Sequence, residues 1–319
     1  MGSDSTIVAL AGGVGGAKLA DGLARVVGPD GLTIVVNTGD DFEHLGLYIS
    51  PDLDTVMYTL AGHNNSETGW GLAGETWAFM AALERLGGET WFRLGDKDLA
   101  THFERTRSLS DGETLSEVTA KLCKRFGIRH SIVPMSDDPI RTMVLTNEER
   151  LAFQAYFVRL RCTPQVAGFE FDGSKTAHPS PKLSTVMKSD SISAAIICPS
   201  NPYVSVGPIL AIPQFARWIS ERNFPIVAVS PIVGGKALKG PAAKMMAELD
   251  VEVSALAIAR HYGALVDGMI IDVADQVLAP AIEAEGIRVA VTQTIMNSAA
   301  DRARLAKEVI IFAEALDTR

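Results

Sequence analysis

The stretch Thr6-Ile7-Val8-Ala9-Leu10-Ala11-Gly12-Gly13-Val14-Gly15-Gly16-Ala17-Lys18 decides the fold class. Its first five residues form a short apolar run and read as a buried strand. From Leu19 onward the pattern turns helical, with Leu19, Leu23, Val26 and Val27 on one face. A strand, a glycine loop and a helix in this order can cradle a phosphate. Glycines let the backbone approach the ligand, and a helix N-terminus offers amide groups to an anion. Lys18 adds a point charge. The loop is not a Walker A motif, because Leu19 follows Lys18, and glycines at 12, 13, 15 and 16 do not have the dinucleotide spacing. A tight turn from strand to helix is the plain structural alternative.

Working outward, Leu32 to Val36 reads as a second strand and leads into Asn37-Thr38-Gly39-Asp40-Asp41. A second acidic pair lies in Ser50-Pro51-Asp52-Leu53-Asp54, before a helix-like run from Thr55 to Leu60. Any one of these aspartates can serve only as a cap or a turn residue. Two acidic pairs beside a strand end, downstream of a glycine loop, point instead to a site. Hard carboxylate oxygens suit Mg²⁺ held together with a substrate phosphate.

The same grammar repeats. Trp91 to Leu94 reads as a short strand broken at Gly95 into Asp96-Lys97-Asp98, with Arg93 and His102 as candidate anion contacts. Strands at Ala194–Cys198 and Ile226–Val229 run into Pro199-Ser200-Asn201-Pro202 and into Ser230-Pro231-Ile232-Val233-Gly234-Gly235-Lys236. Further strands fall at Ile132–Met135, Met269–Asp272 and Arg288–Val291. Helices fall at Glu75–Leu86 and Leu115–Phe126, and a terminal helix spans Ser298–Leu316. Short apolar strands alternating with amphipathic helices imply an α/β, Rossmann-like, doubly wound and mostly parallel sheet. Its core comprises 1–140 and 189–319, and 141–188, rich in Pro, Ser, Lys and Gly toward its end, reads as a small inserted lobe. In such sheets ligands bind beyond the carboxyl ends of the strands. Loops 11–18, 37–54, 94–98, 199–207 and 230–241 can then share one rim.

Composition excludes several classes. The chain has 319 residues, 47% hydrophobic and 21% charged, with a mean hydropathy of +0.16, an ordinary globular balance. A net charge of −9 and a pI near 5.2 argue against a nucleic-acid footprint, which needs a basic face. Cys123, Cys162 and Cys198 are odd in number and far apart, so neither a disulfide framework nor a structural zinc site is indicated. With no apolar run of membrane-spanning length, and Met1-Gly2-Ser3-Asp4-Ser5 lacking a leader's basic region, the expectation is a cytoplasmic protein. No GxSxG context marks an acyl-transfer serine.

Seven ordered motifs carry a resemblance: GGVGGAKLADGL (12–23), NTGDD (37–41), SPDLDTVMYTLAG (50–62), LGDKDLATH (94–102), PMSDDP (134–139), PSNPYVSVGPIL (199–210) and SPIVGGKALKGPAAK (230–244). Together they resemble the CofD family, the 2-phospho-L-lactate transferases of coenzyme F-420 biosynthesis, with an actinobacterial branch that uses a phosphoenolpyruvyl donor. The resemblance runs from about Ile7 to the terminal helix. It implies Mg²⁺-dependent transfer, an EC 2.7.8 activity. The hydroxyl of the deazaflavin Fo attacks the guanosine diphosphate ester of a three-carbon acid, and GMP leaves. By resemblance, Asp54, Arg93 and Asp52 contact Fo. Asp40 and Asp54 are the metal-associated, catalytic carboxylates. Gly12, Gly13, Gly15 and Lys18 lie near the donor phosphates, and Ser200, Asn201, Gly235 and Lys236 near the guanine nucleotide. Family members are often dimeric. Val14 departs from the threonine associated with the phospholactate branch, which leaves phospholactyl, phosphoenolpyruvyl and 3-phosphoglyceryl donors open. The alternative from another class is a non-catalytic regulator with a related core that binds a nucleotide sugar. A dinucleotide oxidoreductase has only the fold in its favour.

Overall fold

The computed structural model describes residues 5–316. Met1 to Asp4, on which the expectation about a leader rests, lie outside them. Seven strands form one parallel sheet: β1 (Thr6–Ala11), β2 (Leu32–Val36), β3 (Ser131–Pro134), β4 (Ile192–Ile197), β5 (Ile226–Val229), β6 (Gly268–Asp272) and β7 (Arg288–Thr292). Their order across the sheet is β7-β6-β5-β4-β1-β2-β3. Leu10 of β1 faces Val35 on one side and Ile197 on the other.

Continuous apolar strands are expected where both faces of a parallel sheet are covered. Here successive residues feed two separate cores. Ile7, Ala9, Ile34 and Ile196 pack with helices α1 (Gly13–Val26) and α2 (Pro51–Leu60) and with the terminal helix Ala299–Glu314. Val8, Leu10, Val35 and Ile197 pack on the other face with the helices Pro213–Ser220 and Ala255–Tyr262. Gly22 lets α1 meet the terminal helix, since a Cβ there would lie 2.2 Å from the carbonyl of Arg302.

Three further helices frame the first half: α3 (Ala78–Arg85), α4 (Asp98–Ser110) and α5 (Leu115–Arg125). The connection from β3 to β4 carries a three-stranded antiparallel sheet, Arg150–Ala152, Arg141–Thr146 and Val166–Asp172 in spatial order, with a π-helical turn at Ala155–Arg159. Val144, Phe153, Tyr156 and Val166 of this lobe pack onto Val204 and Met245, so the lobe is fixed to the core by an apolar seam.

Three local readings change. Helix α2 begins at Pro51 and not at Thr55, so Asp52 and Asp54 lie in its first turn and not ahead of it. Helix α1 begins at Gly13 and not at Leu19; the glycines are its first turn, with Gly12 as N-cap. Trp91 to Leu94 is irregular and not a strand. Its side chains are drawn into an aromatic cluster instead, with Phe92 edge-on to Phe42 at 4.9 Å and Trp91 edge-on to His44 at 4.9 Å. The hairpin that supplies Phe42 and His44 turns at Leu45 and Gly46, both at positive φ.

Candidate active site

The order of winding reverses between β1 and β4, and a crevice opens at their carboxyl ends where neighbouring crossovers lie on opposite faces. A cleft of about 880 Å³ occupies that position.

Its floor is the glycine turn. The Gly12 amide donates to Ser200 Oγ at 3.1 Å, and that hydroxyl donates to the Gly12 carbonyl at 2.9 Å, tying the end of β1 to the loop after β4. Space is tight: a Cβ on Gly12 would fall 2.6 Å from Asp52 Oδ2, and one on Gly15 2.2 Å from the Pro199 carbonyl. The first amides of a helix have no acceptor within it. That of Gly13 goes to Asp52 Oδ1 at 2.8 Å, and Val14 and Gly15 line the cleft beside it.

Asp52 is therefore a strut. Its second oxygen accepts from Asn37 Nδ2 at 2.9 Å, so the carboxylate joins α1, the end of β2 and α2. Lys18, one turn into α1, donates to the Met296 carbonyl at 2.8 Å. Burial, Arg302 and Lys239 all lower its pKa. Lys239 reaches the same end of the cleft and donates to the Thr68 carbonyl at 2.8 Å. An anion placed at this end of the cleft meets positive potential from the two lysines, the Gly13 amide being taken by Asp52.

The acidic side has two different carboxylates. Asp54, in the first turn of α2, is gripped by both terminal nitrogens of Arg105, a fully buried arginine on α4 with 1% exposure. His102 lies between Asp54 and Asp98, with Nδ1 3.6 Å from Asp54 and Nε2 3.4 Å from Asp98, and Tyr58 donates to Asp98 at 2.5 Å. Burial raises the pKa of Asp54 while Arg105 and His102 pull it down. Asp40 is different. Burial and the neighbouring Asp52 raise its pKa well above the usual range, and its Oδ1 is buried without a hydrogen-bond partner. Such a carboxylate fits a hard cation. Asp54, Asp98 and His102 also have ligand atoms within 4.8 Å of one another, but the Arg105 guanidinium stands there already, 3.3 Å from His102 Nδ1. Of the two aspartates expected at a metal, the geometry favours Asp40 and leaves Asp54 charge-paired by arginine.

Every expected site residue lines this cleft except Gly235 and Lys236. That pair belongs to a small hairpin, Ile232–Val233 against Lys236–Ala237, whose turn at Gly234–Gly235 is held by Asp275 and points Lys236 into solvent. Leu238 to Pro241 faces the cleft in its place. Arg93 is at the opposite wall, its guanidinium 4.1 Å from the Trp77 ring centre. Three contributors were not anticipated. Arg105 reads as one more surface charge in His102-Phe103-Glu104-Arg105, although its offset of three from His102 and seven from Asp98 puts all three on one helical face. Lys239 lies three residues beyond the lysine selected. The lobe contributes Phe153, Gln154, Phe157, Arg159 and Arg161.

A seven-stranded parallel sheet with its cleft at the β1/β4 reversal defines a Rossmann-like α/β protein. A crystal structure of a UPF0052 family member from Bacillus halodurans shares this fold, with a TM-score of 0.63 and 14% identity over 97% of this chain and 99% of that one. In sequence, residues 7–310 match the family described as 2-phospho-L-lactate transferase CofD. Phosphoenolpyruvate transferase of Kitasatospora aureofaciens is 42% identical, with 97% of this chain and 98% of that protein covered. 2-phospho-L-lactate transferase of Methanosarcina mazei is 36% identical, with 95% and 99% covered. The chain belongs to the CofD family, the transferases of coenzyme F-420 biosynthesis. Among the described residues no helix is long and apolar enough to cross a membrane.

Proposed function

We propose that this protein transfers a phosphorylated three-carbon acid from its guanosine diphosphate ester to the deazaflavin Fo, releasing GMP. The observation that carries the reading is the division of one cleft into a cationic end at Lys18 and Lys239 and a carboxylate end. A diphosphate ester needs the first, and an attacking hydroxyl needs the second. Greater identity to a phosphoenolpyruvate transferase (42%) than to a 2-phospho-L-lactate transferase (36%) supports the enolpyruvyl ester as donor.

The chemistry is a displacement at phosphorus. The hydroxyl oxygen of Fo forms a bond to the phosphorus bearing the acid, and the bond from that phosphorus to the bridging oxygen breaks. The bridging oxygen leaves on GMP with the electron pair. Lys18 and Lys239, beside Val14 and Gly15 of α1, hold the diphosphate and offset charge on the departing GMP. Asp54, oriented by Arg105, accepts a hydrogen bond from the Fo hydroxyl and takes its proton as the bond forms. Arg93 and the aromatic residues Trp91 and Phe92 form the wall for the deazaflavin ring. Asp40 is the carboxylate for Mg²⁺, which when bound neutralises phosphate charge.

The test is direct. Purified protein, Fo and Mg²⁺ are combined with each of the three candidate esters, formed in place by a donor-forming enzyme, and the product is read by mass. The enolpyruvyl ester should yield an Fo phosphodiester and GMP. Fo binding, read from its fluorescence, without product from any ester would remove the transferase reading and leave a binding protein.

A further inference from the structure

The donor's carboxylate has to lie somewhere in the cleft, and the core offers it no place. Asp40, Asp52 and Asp54 line the acidic side, and a fourth carboxylate set against them is repelled. The cations of the core are engaged. Arg105 is closed onto Asp54, Arg93 rests on the Trp77 ring, and Lys18 and Lys239 sit at the glycine turn where the diphosphate goes. The lobe differs. Phe153 to Arg161 forms its cleft-facing wall, and Gln154 Nε2 lies 3.5 Å from the Asp40 carbonyl, so this wall abuts the acidic loop. Arg159 ends the π-helical turn, and Arg161 and Cys162 follow with φ of 49° and 57°. Two successive non-glycine residues in the left-handed region are strained, and strain of this kind clusters where a side chain must be aimed. Arg159 and Arg161 are exposed and both line the cleft, and among the described residues neither forms an ion pair with a carboxylate.

We infer that the lobe reads the acid half of the donor: Arg159 and Arg161 bind the carboxylate of the three-carbon acid, beside the stacked rings of Phe153 and Phe157. This rests on the donor class proposed above. Planar guanidinium groups match a carboxylate in geometry as well as charge. The lobe's seam with the core, through Tyr156 and Val166 against Val204 and Met245, fixes the distance from these arginines to the phosphates. Arg159 and Arg161 are thereby specificity-determining residues, separate from the groups that meet the reacting atoms.

The experiment compares two ligands on the whole protein without Fo. One is guanosine diphosphate esterified with enolpyruvate. The other is its isopropenyl counterpart, the same ester with methyl in place of the carboxylate. Each is measured by displacement of a fluorescent guanosine diphosphate. Wild type should prefer the acid ester by about tenfold or more. In the protein carrying Arg159→Ala and Arg161→Ala the ratio should fall toward one through loss of acid-ester affinity alone, with isopropenyl binding and thermal unfolding unchanged. The paired substitutions Arg159→Lys and Arg161→Lys should restore part of the preference. A double variant that still prefers the acid ester overturns the inference, as does a wild type that binds both esters equally; either leaves the transferase reading standing. A wild type that binds neither ester overturns the reading and the inference together.

Discussion

Arg105→Met isolates the ion pair under the acidic side of the cleft. Methionine keeps most of the side chain's length and removes the charge, leaving the Asp54 carboxylate in a site where arginine was 1% exposed. Removing one partner of a buried, hydrogen-bonded pair costs about 3–5 kcal/mol. At roughly 2 °C per kcal/mol for a chain of this size, Tm should fall by about 6–10 °C. The pH dependence gives the sign. Burial raises the Asp54 carboxyl above its ordinary 3.8, and Arg105 opposes that rise. A carboxyl whose folded pKa exceeds its unfolded pKa loses stability as pH climbs through the interval between them. Without Arg105 the folded value rises further, so the deficit of the variant should widen as pH climbs and close below 3.8. Adding Asp54→Asn to Arg105→Met removes the stranded charge and should return about 1–3 kcal/mol. Urea unfolding at pH 5 and pH 8, on both variants and wild type, supplies every term. A loss under about 1 kcal/mol at pH 8, or a deficit that does not change with pH, would refute the claim that Arg105 opposes the effect of burial on Asp54.

Gly12→Ala places a methyl group 2.6 Å from Asp52 Oδ2 and should reduce affinity for guanosine diphosphate at least tenfold, as titration calorimetry would show; unchanged affinity would mean that the strut can shift. Lys18→Ala should weaken donor binding by about tenfold and spare Fo, measured by Fo fluorescence; equal loss of both would place Lys18 outside the diphosphate region. Treatment with a chelator should abolish turnover and added Mg²⁺ restore it, and Asp40→Asn should raise the Mg²⁺ concentration for half-maximal rate by about tenfold or more; an unchanged requirement removes Asp40 from the metal.

The sheet was legible because its strands are buried on both faces, which writes them as unbroken apolar runs such as Ile7–Leu10 and Leu32–Val36. The polar ends of those strands then marked the rim. Where the reading failed, one residue pattern had two physical uses. Gly12, Gly13, Gly15 and Gly16 serve a helix start as readily as a loop, and the packing of Gly15 against Pro199 settles which. Trp91 and Phe92 suit a strand by composition, but rings contributed by the hairpin at 42–49 draw them into irregular chain. Arg105 carries no local sign of burial, since the charge that keeps it inside is 51 residues away. Lys236 and Lys239 are equivalent as letters, but Lys236 is held in the exposed hairpin strand while Lys239, beyond it, reaches the cleft and the Thr68 carbonyl.

The lobe is inserted in the one connection that carries the chain across the reversal of the sheet, from β3 at its margin to β4 beside β1. A change of length or sequence between Arg141 and Asp172 therefore reshapes one wall of the cleft without disturbing a single register in the parallel sheet. On the proposed reading, the wall that meets the acid can then vary while the glycine turn and the strands beneath it stay fixed. Exchange of this segment between relatives that use different acids is the smallest graft expected to carry selectivity with it.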